Sequence, residues 1–158
     1  MHISLGAAVA LLATCGLAMS APTQAAEAFY LGSWTIARSV LAPWADPAHP
    51  LDNAEPSRLA GKTITFKAGA IVGPPPFACH RPQYKLISYA ADMLFQGAFG
   101  ELHEKNARTD PARLAAGLGF KEPKVQTLET GCEFDYHFVD PATAEVGLND
   151  FVYVLKRR

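Results

Sequence analysis

No Lys or Arg occurs before Arg38, and cysteine is scarce, with three in 158 residues. The spacing motifs that mark common cofactor and catalytic sites are missing too. There is no C-x-x-C-H, which removes covalent haem, and no C-x-x-C or H-x-x-x-H to frame a zinc site. G-x-S-x-G, a phosphate-binding glycine loop and H-E-x-x-H are all absent. Charge of one sign is also lacking. With 14 Lys and Arg against 15 Asp and Glu, the chain has no basic stripe, so nucleic acid is a poor partner. These absences weigh against an enzyme and against a cofactor, and we expect none.

What is present begins with an apolar leader. Residues 3–19 are apolar or small and carry no charge. Ala26-Glu27-Ala28 follows as an A-x-A cleavage pattern, with Thr23-Gln24-Ala25 as a second candidate. This is the layout of a secretory signal peptide over residues 1–28. The rival is an uncleaved anchor, but the run is near the short limit for a spanning helix. Cys15 is a poor lipidation site, because Thr14 precedes it and more apolar sequence follows. Cleavage after Ala28 removes Glu27, one of the 15 acidic residues, and so balances the 14 Lys and Arg. The expected location is the periplasm, with no stable membrane insertion after cleavage. Residues 29–158 suit a single domain able to bury a core.

Export decides the reading of "PFACHRPQY", residues 76–84, where a cysteine stands beside a histidine. Cys79 and Cys132 are the two cysteines left after cleavage, and in an oxidising compartment such a pair forms a disulfide. Such a crosslink stabilises by about 3–4.5 kcal/mol on the chain-entropy argument. A catalytic thiol at Cys79 would need a base in reach. His80 is a neighbour on extended chain, where side chains alternate in direction. His80 therefore reads as a loop residue before Pro82.

Along the rest of the chain, strand signals dominate. In residues 29–41, Trp34, Ile36 and Arg38 alternate with Thr35 and Ala37. Residues 42–58 hold four prolines and read as a long loop carrying Trp44. Residues 62–72 read as a hairpin turning at Ala68-Gly69, and residues 84–88 as a strand. Two helices follow, over residues 92–118. The first, 92–106, puts Leu94, Phe95, Ala98, Phe99 and Leu102 on one face, although Gly97 and Gly100 weaken it. The second has Asp110 as its cap, Pro111 in its first turn and Gly117 or Gly119 at its end. Strands resume at 125–130 and 132–139. In the latter Phe134, Tyr136 and Phe138 face one way and Glu133, Asp135 and His137 the other. Residues 144–148 and 151–156 form a terminal hairpin about Asn149-Asp150. The fold class is mainly β, with six to eight short antiparallel strands closing into a small barrel or packing as a sandwich, and a two-helix insert.

Gly32-Ser33-Trp34 on the first strand and Tyr153-Val154-Leu155-Lys156-Arg157 on the last resemble the lipocalin and calycin pattern. The resemblance implies that Arg157, or Lys156, packs across Trp34 to close the barrel floor. A broader likeness runs through Leu59-x-Gly61-Lys62-x-Ile64-x-Phe66, Gly73-Pro74, Cys79, Tyr84, Leu94-Phe95-x-Gly97 and Leu128-Glu129-Thr130-x-Cys132. It resembles uncharacterised small exported proteins of Gram-negative bacteria, which implies the periplasm and no particular activity.

Each group of candidate side chains has a structural reading beside its functional one. Glu133, Asp135 and His137 could bind a metal or do acid–base chemistry, or could be the solvated face of a strand. His49, His80, His103 and His137 sit on four elements at spacings unrelated to a metal site. Trp34, Phe66, Phe134, Tyr136, Phe138 and Tyr153 could line a ligand cup or form the core. Three functions follow, in order. The first is a non-enzymatic periplasmic protein binding a small apolar or amphipathic ligand among those six aromatics. The second is a protein-binding module, such as an inhibitor of a cell-wall hydrolase, using Trp44 and its loop. The third is a small hydrolase or metal-binding protein using Asp135 and His137.

Overall fold

The computed structural model describes residues 28–158. The expected leader, apart from Ala28, lies outside the described residues. Nine strands form one antiparallel sheet: β1 Gly32–Leu41, β2 Thr63–Lys67, β3 Ala70–Val72, β4 Cys79–His80, β5 Lys85–Ala90, β6 Lys124–Glu129, β7 Tyr136–Asp140, β8 Thr143–Leu148 and β9 Phe151–Arg157. Their order in space is β4-β3-β2-β1-β9-β8-β7-β6-β5. The first strand therefore pairs with the last, and the sheet curls into a half-barrel. Its edges are β4 and β5. No second sheet faces it among the described residues, so the curled sheet and not the sandwich is the architecture.

Period-2 patterning explains the curl. Trp34 and Ile36 on β1, Ile64 and Phe66 on β2, Tyr136 and Phe138 on β7, and Tyr153 and Leu155 on β9 gather in one interior cluster. β1 departs from the simple alternation. A bulge between Ile36 and Arg38 shifts the register against β9, so Arg38 pairs with Val154 instead of continuing the Trp34–Ile36 row. Arg38 thus leaves the inner face on which strict alternation would put it.

The outer face is not bare. Helices α2 Ala98–Lys105 and α3 Pro111–Leu118 join β5 to β6, after a 3-10 turn at Ala91–Met93. They bring Leu94, Phe95, Phe99, Ala115 and Phe120 onto Val125 and Val152. The expected helix over 92–106 is interrupted because Phe95, Gln96 and Gly97 all take positive φ. Gly97 alone takes that conformation without steric cost, and α2 starts right after it. α3 begins as expected: Asp110 accepts from the Ala112 N–H at 2.9 Å, Pro111 opens the helix, and Gly119 ends it in the left-handed region.

Two further boundaries differ from the sequence reading. The loop 42–58 holds the start of a short helix, α1 Ala54–Leu59, and residues 131–135 are irregular, so β7 starts at Tyr136. The terminal hairpin is as expected, with Leu148 opposite Phe151 and Asn149 at positive φ.

Candidate ligand cleft

All six aromatics expected at a ligand cup lie in the interior cluster. Trp34 packs edge-on to Phe66 at 6.4 Å and tilts against Phe138 at 5.7 Å. Phe66 meets Tyr136 edge to face at 4.8 Å. Phe134 and Tyr153 do not meet this set directly; they are joined by Phe77, at 5.1 and 6.2 Å. Phe77 was missed by pattern reading because it sits in the proline-rich run, where no periodicity marks a buried side. It is 1% exposed.

Both ends of the half-barrel are closed by hydrogen bonds. At one end the Arg157 guanidinium lies 5.9 Å from the Trp34 ring, directly across the β1–β9 ladder. The same side chain donates to the carbonyls of Phe29 and Leu31, and Trp34 Nε1 donates to the Tyr30 carbonyl at 2.9 Å. Residues 28–31 are thereby folded over the floor. Arg157, not Lys156, makes the contact with Trp34; Lys156 turns to Thr143. At the other end Glu55 of α1 is buried and accepts from Tyr153 Oη and Asn149 Nδ2, each at 2.6 Å. Glu55 also went unseen in the sequence, since a lone Glu beside Pro56 in a polar loop carries no signal of burial.

The side of the barrel is different. Cys79 on edge strand β4 is bonded to Cys132, 53 residues on, in the connection between β6 and β7, beside the seam between the sheet edges. Beneath that crosslink runs a cleft of about 380 Å³, walled by residues 76–80 and 130–134, with Phe77, Phe134 and Tyr136 at its base. Its size is at the lower end for small-molecule sites. Tyr84 Oη donates to the Lys67 carbonyl at 3.0 Å, and Tyr153 Oη is held by Glu55. Tyr136 Oη is buried with no hydrogen-bond partner among the described residues. Leaving such a group unpaired costs about 1–3 kcal/mol. Burial, with Tyr84 and Asp135 adding to it, pushes the Tyr136 phenol further up, so it is a neutral donor.

The Glu133, Asp135 and His137 row does not exist as a shared strand face. Glu133 and Asp135 lie in the irregular segment before β7, while His137 is 1% exposed beneath the helical insert. Its Nε2 accepts from the Phe95 N–H at 3.0 Å, so Nδ1 carries the proton and donates to Thr127 Oγ1 at 2.8 Å. Burial holds the imidazole down at about 3. His137 is a neutral pin that fastens the insert to the sheet. Trp44 is half-buried: it donates to the Asn149 carbonyl at 2.8 Å and packs on Phe95 at 5.1 Å. His80 is exposed on β4. Among the described residues, no three His, Cys, Asp or Glu side chains gather as a metal site would require. No helix there is long and apolar enough to cross a membrane.

In comparisons, no protein family, no curated protein and no solved structure matches this chain.

Proposed function

We propose that this is a non-enzymatic periplasmic binding protein for a small amphipathic molecule, taken up through the seam under the Cys79–Cys132 bridge. One observation carries the reading: a buried hydroxyl without a partner, Tyr136 Oη, on a residue that lines the cleft. An apolar body would lie against Phe77 and Phe134, and a carbonyl or ether oxygen would accept from Tyr136. Thr130, Glu133 and His80 line the same cleft, the last two exposed, so its mouth is polar while its aromatic residues lie deeper, a mixture that suits an amphipathic molecule. The disulfide is compatible with an oxidising compartment and so supports the periplasm.

The test is native mass spectrometry of unreduced protein taken from the periplasm, with Tyr136→Phe alongside. The wild type should carry a small mass that leaves on denaturation. Tyr136→Phe should lose that mass yet unfold at a higher temperature than wild type stripped of its ligand, gaining about 1 kcal/mol, because the stranded hydroxyl is gone. An empty wild-type monomer, or a Tyr136→Phe protein that is less stable and still loaded, would overturn the reading. The empty monomer would turn attention to a protein partner at Trp44.

A further inference from the structure

A second cleft, of about 320 Å³, lies on the opposite face of the sheet, between α3 and strands β1 and β8. It shares no residue with the cleft under the disulfide. Its lining is amphipathic. Leu41, Leu114 and Leu118 supply apolar surface, and Leu41 is 55% exposed. Arg38, Arg113 and Glu145 supply the polar groups. Arg38 is there because the β1 bulge turned it outward, next to Val154, which pairs with Glu145 in turn.

Glu145 is the unusual member. It is 1% exposed, and its Oε2 has no hydrogen-bond partner among the described residues. Burial pushes its carboxyl up to about 7, against the opposing pull of Arg38. The groups around it are few. On β7, His137 stands opposite in the ladder but is neutral and already bonded on both nitrogens. On β9, Val154 is apolar. On α3, Arg113 is shared with Asp110 at 3.6 Å, a pair largely exposed to solvent. The cleft thus offers two guanidinium groups against one buried acid that resists ionising. A buried acid in its neutral form is a donor that needs an acceptor.

We infer that this outer cleft binds an aliphatic carboxylate, its head between Arg38, Arg113 and Glu145 and its chain along Leu41, Leu114 and Leu118. The two-oxygen head matches the guanidinium fork. Its second oxygen accepts a hydrogen bond from the protonated Glu145 carboxyl, so Glu145 takes a proton from solvent as the site fills near neutral pH. Neither a purely cationic nor a purely apolar molecule satisfies all three polar groups.

The experiment is isothermal titration calorimetry of the full chain with octanoate, at neutral pH and low salt, in two buffers of different ionisation enthalpy. Acetate and octylamine are the controls for tail and for charge. Octanoate should bind one to one, at least about tenfold tighter than acetate, with proton uptake, because tail burial and head pairing add. Arg38→Gln and Arg113→Gln are surface changes that should each weaken it about fivefold or more, as expected for lost charge-assisted bonds. Glu145→Gln should remove the proton uptake, and Tyr136→Phe should change nothing. The inference is overturned by octylamine binding as tightly as octanoate, by octanoate binding that ignores both arginine changes or responds to Tyr136→Phe, or by no saturable heat.

Discussion

His137 and Glu145 face each other across β7 and β8, and they pull stability in opposite directions as pH changes. His137 has a folded-state value near 3 against 6.5 for the free side chain. The folded protein therefore refuses a proton that the unfolded chain accepts, and stability falls as pH drops from about 6.5 towards 3. Glu145 has a folded value near 7 against 4.5, so its contribution is complete below 4.5 and is lost as pH rises through 7. Between about pH 6.5 and 5 the two slopes offset each other. Glu145→Gln removes one of them. Urea denaturation of that variant should show stability dropping by about 1.4 kcal/mol per pH unit through this window, where the wild type stays nearly flat. Parallel profiles would contradict the assignment. Neither residue shows its burial in sequence, since the partner that covers His137 is Phe95, forty-two positions earlier. Strand alternation assigned His137 to the face opposite Phe138 correctly. It could not say that helices cover that face.

Among the elements, legibility followed the locality of the cause. The α3 cap, its proline and its terminal glycine act within one turn, and Asp110-Pro111…Gly119 announced them. Asp110→Ala should cost about 0.5–2 kcal/mol, read by thermal unfolding, by leaving the Ala112 N–H uncapped. The terminal hairpin was legible for the same reason. The aromatic set was legible because period-2 patterning survives in β2, β7 and β9. Three features were not. The β1 bulge that redirects Arg38 depends on pairing with β9, more than a hundred residues away. The break at residues 95–97 depends on Phe95 reaching His137. Residues 131–135 have strand-like alternation but give up pairing to place Cys132 opposite Cys79. Each is a long-range geometric demand that overrides a sound local pattern.

For the whole molecule, the disulfide joins edge strand β4 to the β6–β7 connection, two places that no strand pairing joins. On the chain-entropy argument a loop of 53 residues makes it worth about 4 kcal/mol. Cys79→Ser with Cys132→Ser should lower unfolding stability by that order in denaturant titrations. Amide exchange should then quicken first at β4, which is held by only two register pairs with β3. Uniform quickening across β1 and β9 instead would mean that the seam is not the weak line of the barrel. The strand order carries a separate consequence for assembly. β1 through β4 make one wing and β5 through β9 the other, and the ladder that unites them pairs the first strand with the last. Neither wing can complete the shared aromatic interior before Phe151–Arg157 is available to lie against Gly32–Leu41. Folding is therefore gated by the far end of the chain, which makes it intrinsically slow. A polypeptide threaded lengthwise through a membrane would arrive with its sheet still unmade, and would lock only when its last strand emerged.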